Sequence, residues 1–553
     1  MPGALDVPNH LHSEPLAENR ERGKGKRNLA ILIAILLVAA AVRFYDIDRH
    51  PLWLDEFFAL QHSAGQGAGR LGLADSGVRA PPPDLLGRRE RLSYPHVWRG
   101  MADADVHPPL YQLFLRAWRD MLNPIFGDGD VTIRALTALL SVAAVAAFYD
   151  VVRLMHGVTA ARWAALIMAL ATPQIHWAQD ARPYALLSLL ALGAIDAVVR
   201  FERLGPGKWR AVALGLCTLG VGLTHYYGLP ALLALGCYAA IRLRGPARVQ
   251  AGVAMLAGVT MFAVLWGPSL LHQLRGAEDQ SGYLLDESPG HLGRTLLRVA
   301  LLPARSLNEP SPRIAAIACL GAVAYALPVL LLRRRPDLLP WAFWMAGALA
   351  PAVVLDLFKR WEQLDYLRYT SLAMPAFYAI VSTVLDFDPA QRTAWLRHVL
   401  PATAALSCAV SLPRAYAETE TPKPDYPYLA RTLVQHANAD EDVIVFYYPP
   451  HDRGSPLLWY MALSWYAGDV MPRTAVFLTG PPGEPERTAI RAAKVLWTVS
   501  QGADAPPADV TAGREPGPAK ASGFGMPAVQ QWVWPSATTP TAPPTTTPTT
   551  QPD

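Results

Sequence analysis

Long apolar runs separated by short polar loops dominate most of the chain. A helix needs roughly 20 apolar residues to cross a bilayer, and a series of runs approaches or exceeds that length. They lie near residues 28–44, 131–154, 163–178, 184–201, 211–226, 229–241, 252–271, 314–332, 339–358, 370–385 and 398–412. The pattern predicts a polytopic α-helical membrane protein with about eleven transmembrane helices.

Basic residues in the short loops predict the orientation of the chain. Lys and Arg favour the cytoplasmic side of a membrane. If the polar segment 1–27 is cytoplasmic, every second loop between the apolar runs is also cytoplasmic, and these are the loops that contain basic residues. Those loops contain Arg153/Arg162, Arg203/Lys208/Arg210, Arg242/Arg244/Arg248, Arg333/Arg334/Arg335 and Arg392/Arg397. We therefore predict a multi-pass protein of the cell inner (plasma) membrane with its N-terminus in the cytoplasm.

A cleaved signal peptide is the alternative interpretation of the first apolar run. Ala39-Ala40-Ala41 resembles a cleavage site, and small residues are typical of such sites. The polar segment before the run is long for a signal peptide, and further apolar runs follow. We interpret the run as an uncleaved anchor.

The pattern changes at the end of the last apolar run. Residues 425–437 have helical spacing, whereas 442–447 and 494–499 are continuous strand-like runs. A helix alternating with buried strands predicts a small extracytoplasmic α/β domain over 414–535. The transmembrane domain then covers 28–413, and a disordered Pro/Thr-rich tail follows over 536–553.

Composition narrows the functional classes. Hydrophobic residues make up 52% of the chain and charged residues 17%, and the net charge of +4 is spread over short Arg clusters. We predict the lipid bilayer as a partner and no nucleic acid. The chain has no Gly-rich phosphate loop, Walker-type motif or HExxH motif, which argues against nucleotide-driven and zinc-protease chemistry.

The predicted orientation places the unusual polar residues on the extracytoplasmic side. This side holds the large first loop 45–130, the short segments 179–183 and 225–228, the loop 359–368 and the C-terminal region. Charged groups beside membrane helices are costly and are often functional. The sequence therefore predicts a single active site on that side of the membrane.

Two carboxylates follow the first apolar run directly. Asp55 and Glu56 are adjacent, so on a helix they point about 100° apart and cannot both face one site. One carboxylate would act as a base or metal ligand, and the other would be a structural partner. An acidic pair that caps a short helix is the alternative.

A second motif in the same loop contains Asp105, His107 and the pair Pro108-Pro109. The prolines hold the preceding residues extended and fit the first turn of a helix. Asp105 and His107 would then stand at a helix N-terminus, where a phosphate or a base can be positioned. An ordinary Asp-capped helix is the alternative.

Three further segments offer side chains for an anionic substrate. Arg182, in Gln179-Asp180-Ala181-Arg182-Pro183-Tyr184, is suited to clamp a phosphate, with an interfacial snorkelling Arg as the alternative. His225 and Tyr226 end another run, where an aromatic belt is the alternative. Arg360 and Arg368 flank the loop 359–368 against the cytoplasmic bias for cations.

The order of these motifs resembles the GT-C superfamily of polytopic glycosyltransferases. The closest resemblance is to the branch of protein O-mannosyltransferases and the lipid A aminoarabinose transferase, the bacterial family 39-like group. The motifs that carry it, over roughly 28–385, are Asp55-Glu56, His107-Pro108-Pro109-Leu110, Gln179 to Tyr184, Thr224 to Gly228, Arg368-Tyr369 and Pro375-Ala376. A Pro/Gly/Arg-rich insert over 65–100 looks long for the family.

The resemblance implies an inverting transfer of a hexosyl or pentosyl group from a polyprenyl-phosphate sugar donor to an acceptor glycan, lipid or protein. It implies Asp55 as the general base, with Glu56 and Asp105 as catalytic helpers. It implies Arg182, Arg360 and Arg368 as ligands of the donor phosphate. The remaining candidates for substrate binding are His107, Gln179, Tyr184, His225 and Tyr226.

The resemblance leaves a cofactor open. Some relatives bind a divalent metal ion near the first loop, and the candidate ligands here are Asp55, Glu56, Asp105 and His107. Their spacing does not decide whether a metal binds.

Two other functions remain as alternatives. A transporter or flippase of a lipid-linked or small polar substrate would have ionisable residues near the midplane and broken, repeated helices. A non-catalytic scaffold would present the C-terminal domain. The charged motifs crowd one side of the membrane instead, which favours the enzyme.

Overall fold

The computed structural model describes residues 14–67, 76–280, 285, 290–308, 335–383, 395–417, 425–448, 455–501, 508–521 and 527–535. The chain divides into two compact units. The first contains Met1–Ala68 with Glu90–Pro422, and the second contains Gly69–Arg89 with Lys423–Asp553. The predicted run 314–332 and the predicted tail 536–553 lie outside the described residues.

The first unit is helical. Its helices are α1 Glu14–Phe44, α2 Leu54–Ser63, α3 Tyr94–Ala104, α4 Leu110–Phe126, α5 Asp130–Leu170, α6 Thr172–Ala178, α7 Tyr184–Leu204, α8 Lys208–Thr224, α9 Gly228–Arg242, α10 Gly245–Gln280, α11 His291–Leu307, α12 Leu339–Phe358, α13 Met374–Thr383 and α14 Leu396–Ala417. Short 3-10 helices cover Pro336–Leu338, Gln363–Asp365 and Leu367–Ala373. The prediction of a polytopic helical architecture is confirmed.

Five stretches among the described residues are long and apolar enough to cross a membrane. They are Gly25–Phe44, Asp130–Leu170, Tyr184–Leu204, Gly245–Arg275 and Pro336–Phe358. Gly228–Arg242 is a shorter apolar helix. The predicted number of about eleven transmembrane helices therefore stays a prediction.

One helix, α5, covers two of the predicted runs. Gly157 interrupts it with φ 85° and ψ 176°, a backbone conformation that glycine adopts readily. Residue Ala171 is extended, with φ −61° and ψ 122°, and it separates α5 from α6. The chain therefore changes direction at Gly157 between the runs 131–154 and 163–178, close to the predicted loop.

Helix α5 lies at the centre of the first unit. Helices α1, α7 and α13 pack against it, and α8 packs between α7 and α10. Small fully buried residues after the break, such as Ala161, Ala164 and Ala165, line the packed face. Small side chains let helix backbones approach closely, which is how membrane helices gain packing energy.

The second unit is built around a six-stranded sheet with the order β1-β3-β2-β4-β6-β5. The strands are β1 Gly77–Arg79, β2 Val443–Tyr447, β3 Thr474–Leu478, β4 Val495–Gln501, β5 Glu515–Ala521 and β6 Pro527–Val533. Its helices are α15 Tyr426–His436, α16 Ser455–Ala467, α17 Glu484–Ala492 and α18 Ala508–Thr511. The two strand-like runs of the sequence are β2 and β4, and the α/β prediction is confirmed.

The strands differ in direction and in burial. Strand β2 pairs in parallel with β3 and β4, whereas β6 runs antiparallel to β4 and β5. Four of the five residues of β2 are buried. Continuous apolar runs of this kind are typical of parallel strands covered on both faces.

The second unit is discontinuous in sequence, which the predicted single segment 414–535 missed. Strand β1 comes from the Pro/Gly/Arg-rich insert and pairs with β3. The Asp84 carboxylate accepts hydrogen bonds from the backbone N–H groups of Arg88 and Arg89 at 3.0 and 2.7 Å. Residues 77–79 of the insert therefore form an edge of the sheet, and 84–89 form a hydrogen-bonded turn.

Candidate functional site

The first turn of α2 contains a buried ion pair. Glu56 is fully buried, and Arg134 near the start of α5 is 2% exposed. Arg134 Nε donates to Glu56 Oε1 at 2.8 Å, and Nη2 donates to Oε2 at 2.7 Å. This bidentate geometry is the strongest common form of a carboxylate–guanidinium contact.

Both partners of this pair make further hydrogen bonds. Glu56 Oε1 accepts from the Ala181 N–H at 2.9 Å, and Oε2 accepts from the Trp53 N–H at 3.2 Å. Arg134 Nη1 donates to the Ile47 and His50 carbonyls at 2.9 and 2.8 Å. The pair thus joins α1's exit, α2, α5 and the loop 179–183.

The neighbouring carboxylate, Asp55, faces two other arginines. Its Oδ2 lies 3.3 Å from Arg182 Nη2 and 3.4 Å from Arg368 Nη1. Arg182 Nη1 also donates to the Asp55 backbone carbonyl at 3.4 Å. The Asp55 side chain is 21% exposed, so one accessible carboxylate oxygen is shared between two guanidinium groups.

We call Asp55, Arg182 and Arg368 the Asp55 cluster, in which Arg182 is buried. Burial alone would lower its pKa, but the Asp55 carboxylate offsets the burial and raises the pKa above the ordinary value of arginine. The guanidinium carbon lies 5.9 Å from the ring centre of Tyr184. Arg182 Nε is buried and has no hydrogen-bond partner within the part of the chain that the structure describes.

Asp105 ends α3 and is held by two histidines. Its Oδ1 lies 2.7 Å from His107 Nδ1, and its Oδ2 lies 2.9 Å from His62 Nε2. The same Oδ1 accepts from the N–H groups of Val106 and His107 at 2.6 and 3.0 Å. Burial would raise the pKa of Asp105, but His107 and His62 outweigh it and hold the pKa well below its usual range.

A series of aromatic rings continues from this motif. The ring centres of His107 and His225 are 5.4 Å apart, those of His225 and Tyr227 are 5.3 Å apart, and those of Tyr227 and Tyr369 are 5.5 Å apart. The ring centre of Tyr184 lies 6.1 Å from that of His225. We call His107, His225, Tyr227 and Tyr369 the ring series.

Arg368 joins the ring series to the carboxylate. Its guanidinium carbon lies 5.0 Å from the ring centre of Tyr369 and 5.1 Å from that of Tyr366. Cations over aromatic faces are stabilised electrostatically. The structure therefore brings together the predicted residues Asp55, Arg182 and Arg368, with Tyr184, His107 and His225 beside them.

Three other predicted residues make different contacts. Gln179 Nε2 donates to the Arg43 and Tyr45 carbonyls at 3.2 and 2.9 Å. The Tyr226 hydroxyl accepts from Trp266 Nε1 at 2.7 Å. Arg360 is exposed and has a positive φ of 57°. The structure gives Gln179 and Tyr226 structural contacts and leaves Arg360 outside the Asp55 cluster.

The sequence patterns did not single out Arg134, His62 or Tyr227, which the structure places at the site. Arg134 carried a signal, because it is a cation near the extracytoplasmic start of an apolar run and opposes the cytoplasmic bias of basic residues. Tyr227 stands beside the His225 and Tyr226 that were selected. His62 carried no signal, because only the fold brings it to Asp105.

The candidate metal ligands do not form one ligand set. Among the described residues, no group of three or more His, Cys, Asp or Glu side chains is placed to hold a metal ion. Both oxygens of Glu56 bind Arg134, and Asp55 is flanked by two guanidinium groups that would repel a cation. The donor set around Asp55 fits an anion better than a metal.

Comparisons with known proteins found solved structures with a similar fold. No family model and no curated protein matches the chain. ArnT from Cupriavidus metallidurans in the apo state is 13% identical, with a TM-score of 0.53 over 93% of this chain and 98% of that chain. ArnT from the same organism bound to undecaprenyl phosphate is 14% identical, with a TM-score of 0.52 over 92% and 98%.

A more distant match is the Saccharomyces cerevisiae protein O-mannosyltransferase complex Pmt1–Pmt2 bound to the sugar donor. It is 15% identical, with a TM-score of 0.32, and the match covers 44% of this chain and 34% of that chain. The match to ArnT extends over nearly the whole of both chains. The chain therefore shares the polytopic fold of ArnT.

Proposed function

We propose that this GT-C-fold chain is a membrane glycosyltransferase that transfers a sugar from a polyprenyl-phosphate donor to an acceptor on the extracytoplasmic side. The observation that carries the proposal is the single Asp55 oxygen shared by Arg182 and Arg368. The structural neighbour ArnT has been solved with undecaprenyl phosphate, which supports a polyprenyl phosphate as the donor. We infer a hexosyl or pentosyl group as the sugar.

The charge of the cluster suits a phosphate. One carboxylate faces two guanidinium groups, so the three side chains together carry a net positive charge. Guanidinium groups match phosphoryl oxygens with paired donors. Arg182 and Arg368 would bind the donor phosphate and stabilise the charge that develops on it as the leaving group departs.

The second oxygen of Asp55 suits a general base. The contacts of Asp55 with Arg182 and Arg368 go to Oδ2, and we assign Oδ1 to the acceptor. The acceptor oxygen would attack the anomeric carbon while Oδ1 takes its proton. The carbon–oxygen bond to the phosphate breaks, its electron pair leaves with the lipid phosphate, and the configuration inverts.

The other two predicted carboxylates, Glu56 and Asp105, would hold neighbouring residues of the site in place. Glu56 accepts the Ala181 N–H and pairs with Arg134, so it fixes the loop that carries Arg182. Asp105 holds His107, whose side chain is 26% exposed. We infer that Glu56 is a positioning residue and that His107, with Tyr184 and His225 behind it, contacts substrate.

The test is sugar transfer by the purified full-length protein in detergent, with radiolabelled polyprenyl-phosphate sugars as donors. Asp55→Asn should lower the rate at least about 10²-fold, because a positioned general base contributes roughly 10²–10⁴-fold. The matched control is Asp48→Asn, an exposed acid of the same loop, which should keep the wild-type rate.

The outcomes separate the enzyme from its alternative. A fully active Asp55→Asn variant would exclude the proposed base. A folded wild-type protein that transfers no sugar from any donor, but moves the donor across the membrane of proteoliposomes, would support the transporter or flippase instead.

A further inference from the structure

We infer that Tyr227 and Tyr369 form the subsite for the sugar ring of the lipid-linked donor. The inference rests on the proposed function and names the part of the substrate that the ring series recognises. The observations that carry it are the arrangement of the rings, their accessibility, and their connection to the Asp55 cluster through Arg368.

The ring series has a buried side and an accessible side. His225 of the series and its neighbour Tyr184 are 6% and 5% exposed. Tyr227 and Tyr369 are half-buried, so each residue keeps part of its surface accessible. We take these two tyrosines as the side of the series that a ligand can reach.

Hydrogen bonding fixes the direction of the Tyr227 ring. Its hydroxyl is bonded to the side-chain oxygen of Gln363, which is itself buried. The ring of Tyr227 lies nearly parallel to that of His225, at an interplanar angle of 24°. The ring is thus held at both its tip and its face.

Arg368 places this surface next to the donor phosphate. The same guanidinium that lies 5.0 Å from the Tyr369 ring centre reaches Asp55 Oδ2 at 3.4 Å. A phosphate bound by Arg368 and Arg182 therefore lies beside Tyr369. The group attached directly to that phosphate in the donor is the sugar, so the sugar is the part that meets the rings.

The chemistry of both partners is complementary. Aromatic faces are electronegative, and the C–H groups along one face of a pyranose or furanose ring are weakly electropositive. A second observation points to a ligand here, because Arg182 is 8% exposed and its Nε has no partner among the described residues.

The test measures binding of two kinds of lipid to the full-length protein in detergent. One probe is undecaprenyl phosphate, and the others are undecaprenyl phosphates that carry a hexose, a pentose or an amino sugar. Tyr369→Leu and Tyr227→Leu should each weaken binding of the preferred sugar-carrying lipid roughly 2- to 12-fold, the range for one aromatic contact. Binding of undecaprenyl phosphate should not change in Tyr227→Leu. In Tyr369→Leu it should fall less than binding of the sugar-carrying lipid, because that variant also removes the ring next to Arg368.

Two controls match these variants. Tyr369→Phe keeps the ring and should keep the preference for the sugar-carrying lipid. Tyr45→Leu removes a ring from another edge-to-face pair, Tyr45 with Tyr416 at 5.1 Å, and should affect neither lipid.

Three results would overturn the inference. Equal losses for both kinds of lipid would mean that the rings act only through Arg368. Unchanged binding of the sugar-carrying lipid in both Leu variants would mean that the rings do not touch the sugar. A wild-type protein that binds undecaprenyl phosphate and the sugar-carrying lipids equally would exclude a sugar subsite, whereas one that binds neither would overturn the proposed function itself.

Discussion

The region around Glu56 and the region around Asp55 each contain a carboxylate with arginine partners, but the two carboxylates differ in burial and in hydrogen bonding. Glu56 is fully buried, and its two oxygens accept from Arg134 at 2.7 and 2.8 Å and from two backbone N–H groups. Asp55, the preceding residue, is partly exposed and shares one oxygen between two arginines at 3.3 and 3.4 Å.

The difference indicates a structural role for Glu56 and a chemical role for Asp55. A buried carboxylate whose acceptor sites are all used cannot bind a substrate without breaking the fold. A carboxylate with long contacts on one oxygen can exchange its partners for a substrate. Saturation of hydrogen bonds, rather than charge or position in the sequence, distinguishes these two adjacent acids.

The largest expected effect on stability comes from breaking the Glu56 pair. Glu56→Gln leaves the buried Arg134 guanidinium without its charge partner, and removal of one partner of a buried pair typically costs about 3–5 kcal/mol. Urea unfolding in detergent should show this loss. Asp55→Asn is the matched control, and an equal loss in that variant would remove the distinction between the two regions.

A smaller effect, seen chiefly in catalysis, should follow from removing a cation of the Asp55 region. Arg182→Gln takes away a donor that we assign to the leaving phosphate, and loss of one such donor typically lowers kcat about 10²–10³-fold. Single-turnover sugar transfer measures it. Arg49→Gln changes an exposed arginine that pairs with Asp46 and should retain the wild-type rate. A similar loss there would indicate a general charge effect.

Asp105 is a third carboxylate of the site, and its contribution to the free energy of unfolding should depend on pH. Its folded pKa lies well below the usual range because His107 and His62 outweigh burial. Its contribution is therefore complete above the unfolded value of about 3.9 and is lost as the pH falls below it through the folded pKa.

The difference in unfolding free energy between wild type and Asp105→Asn measures that contribution. We expect it to be constant from about pH 6 to pH 5 and to shrink below about pH 4. A difference that grows on acidification would contradict the assignment.

The smallest expected effect is at Tyr111 in α4. Its hydroxyl is buried without a hydrogen-bond partner among the described residues, so Tyr111→Phe should change the unfolding free energy by less than about 1 kcal/mol or stabilise the protein. Tyr378→Phe removes a hydroxyl that donates to the Ser306 carbonyl at 2.7 Å and should cost about 1 kcal/mol or more. Equal effects would show that the Tyr111 hydroxyl has a partner, such as a bound water.

The sequence predicted the helical architecture because its apolar runs are long and its breaks contain glycine or charge. It also selected Asp55, Arg182 and Arg368, whose charges are unusual at the ends of apolar runs. It could not assign roles to Asp55 and Glu56, because adjacent residues give the same signal. The distinction depends on Arg134 and on Ala181, which approach only in the fold.

The sequence also failed to place the insert in the first loop. Its short strand β1 joins β3, almost 400 residues later in the chain, as the edge of the sheet. A three-residue strand has no periodicity that a sequence pattern can detect. Only the folded chain brings it beside β3.

The contacts of Arg43, near the end of α1, have a consequence for biosynthesis. Arg43 donates to the carbonyls of Met168 and Ala169 at 3.1 and 2.9 Å, where α5 ends, and its own carbonyl accepts from Gln179 at 3.2 Å. A signal peptidase that cut after Ala41 would detach the helix that presents this guanidinium. We therefore expect the first helix to be retained after insertion, because Arg43 at its end hydrogen-bonds the carbonyls at the end of α5.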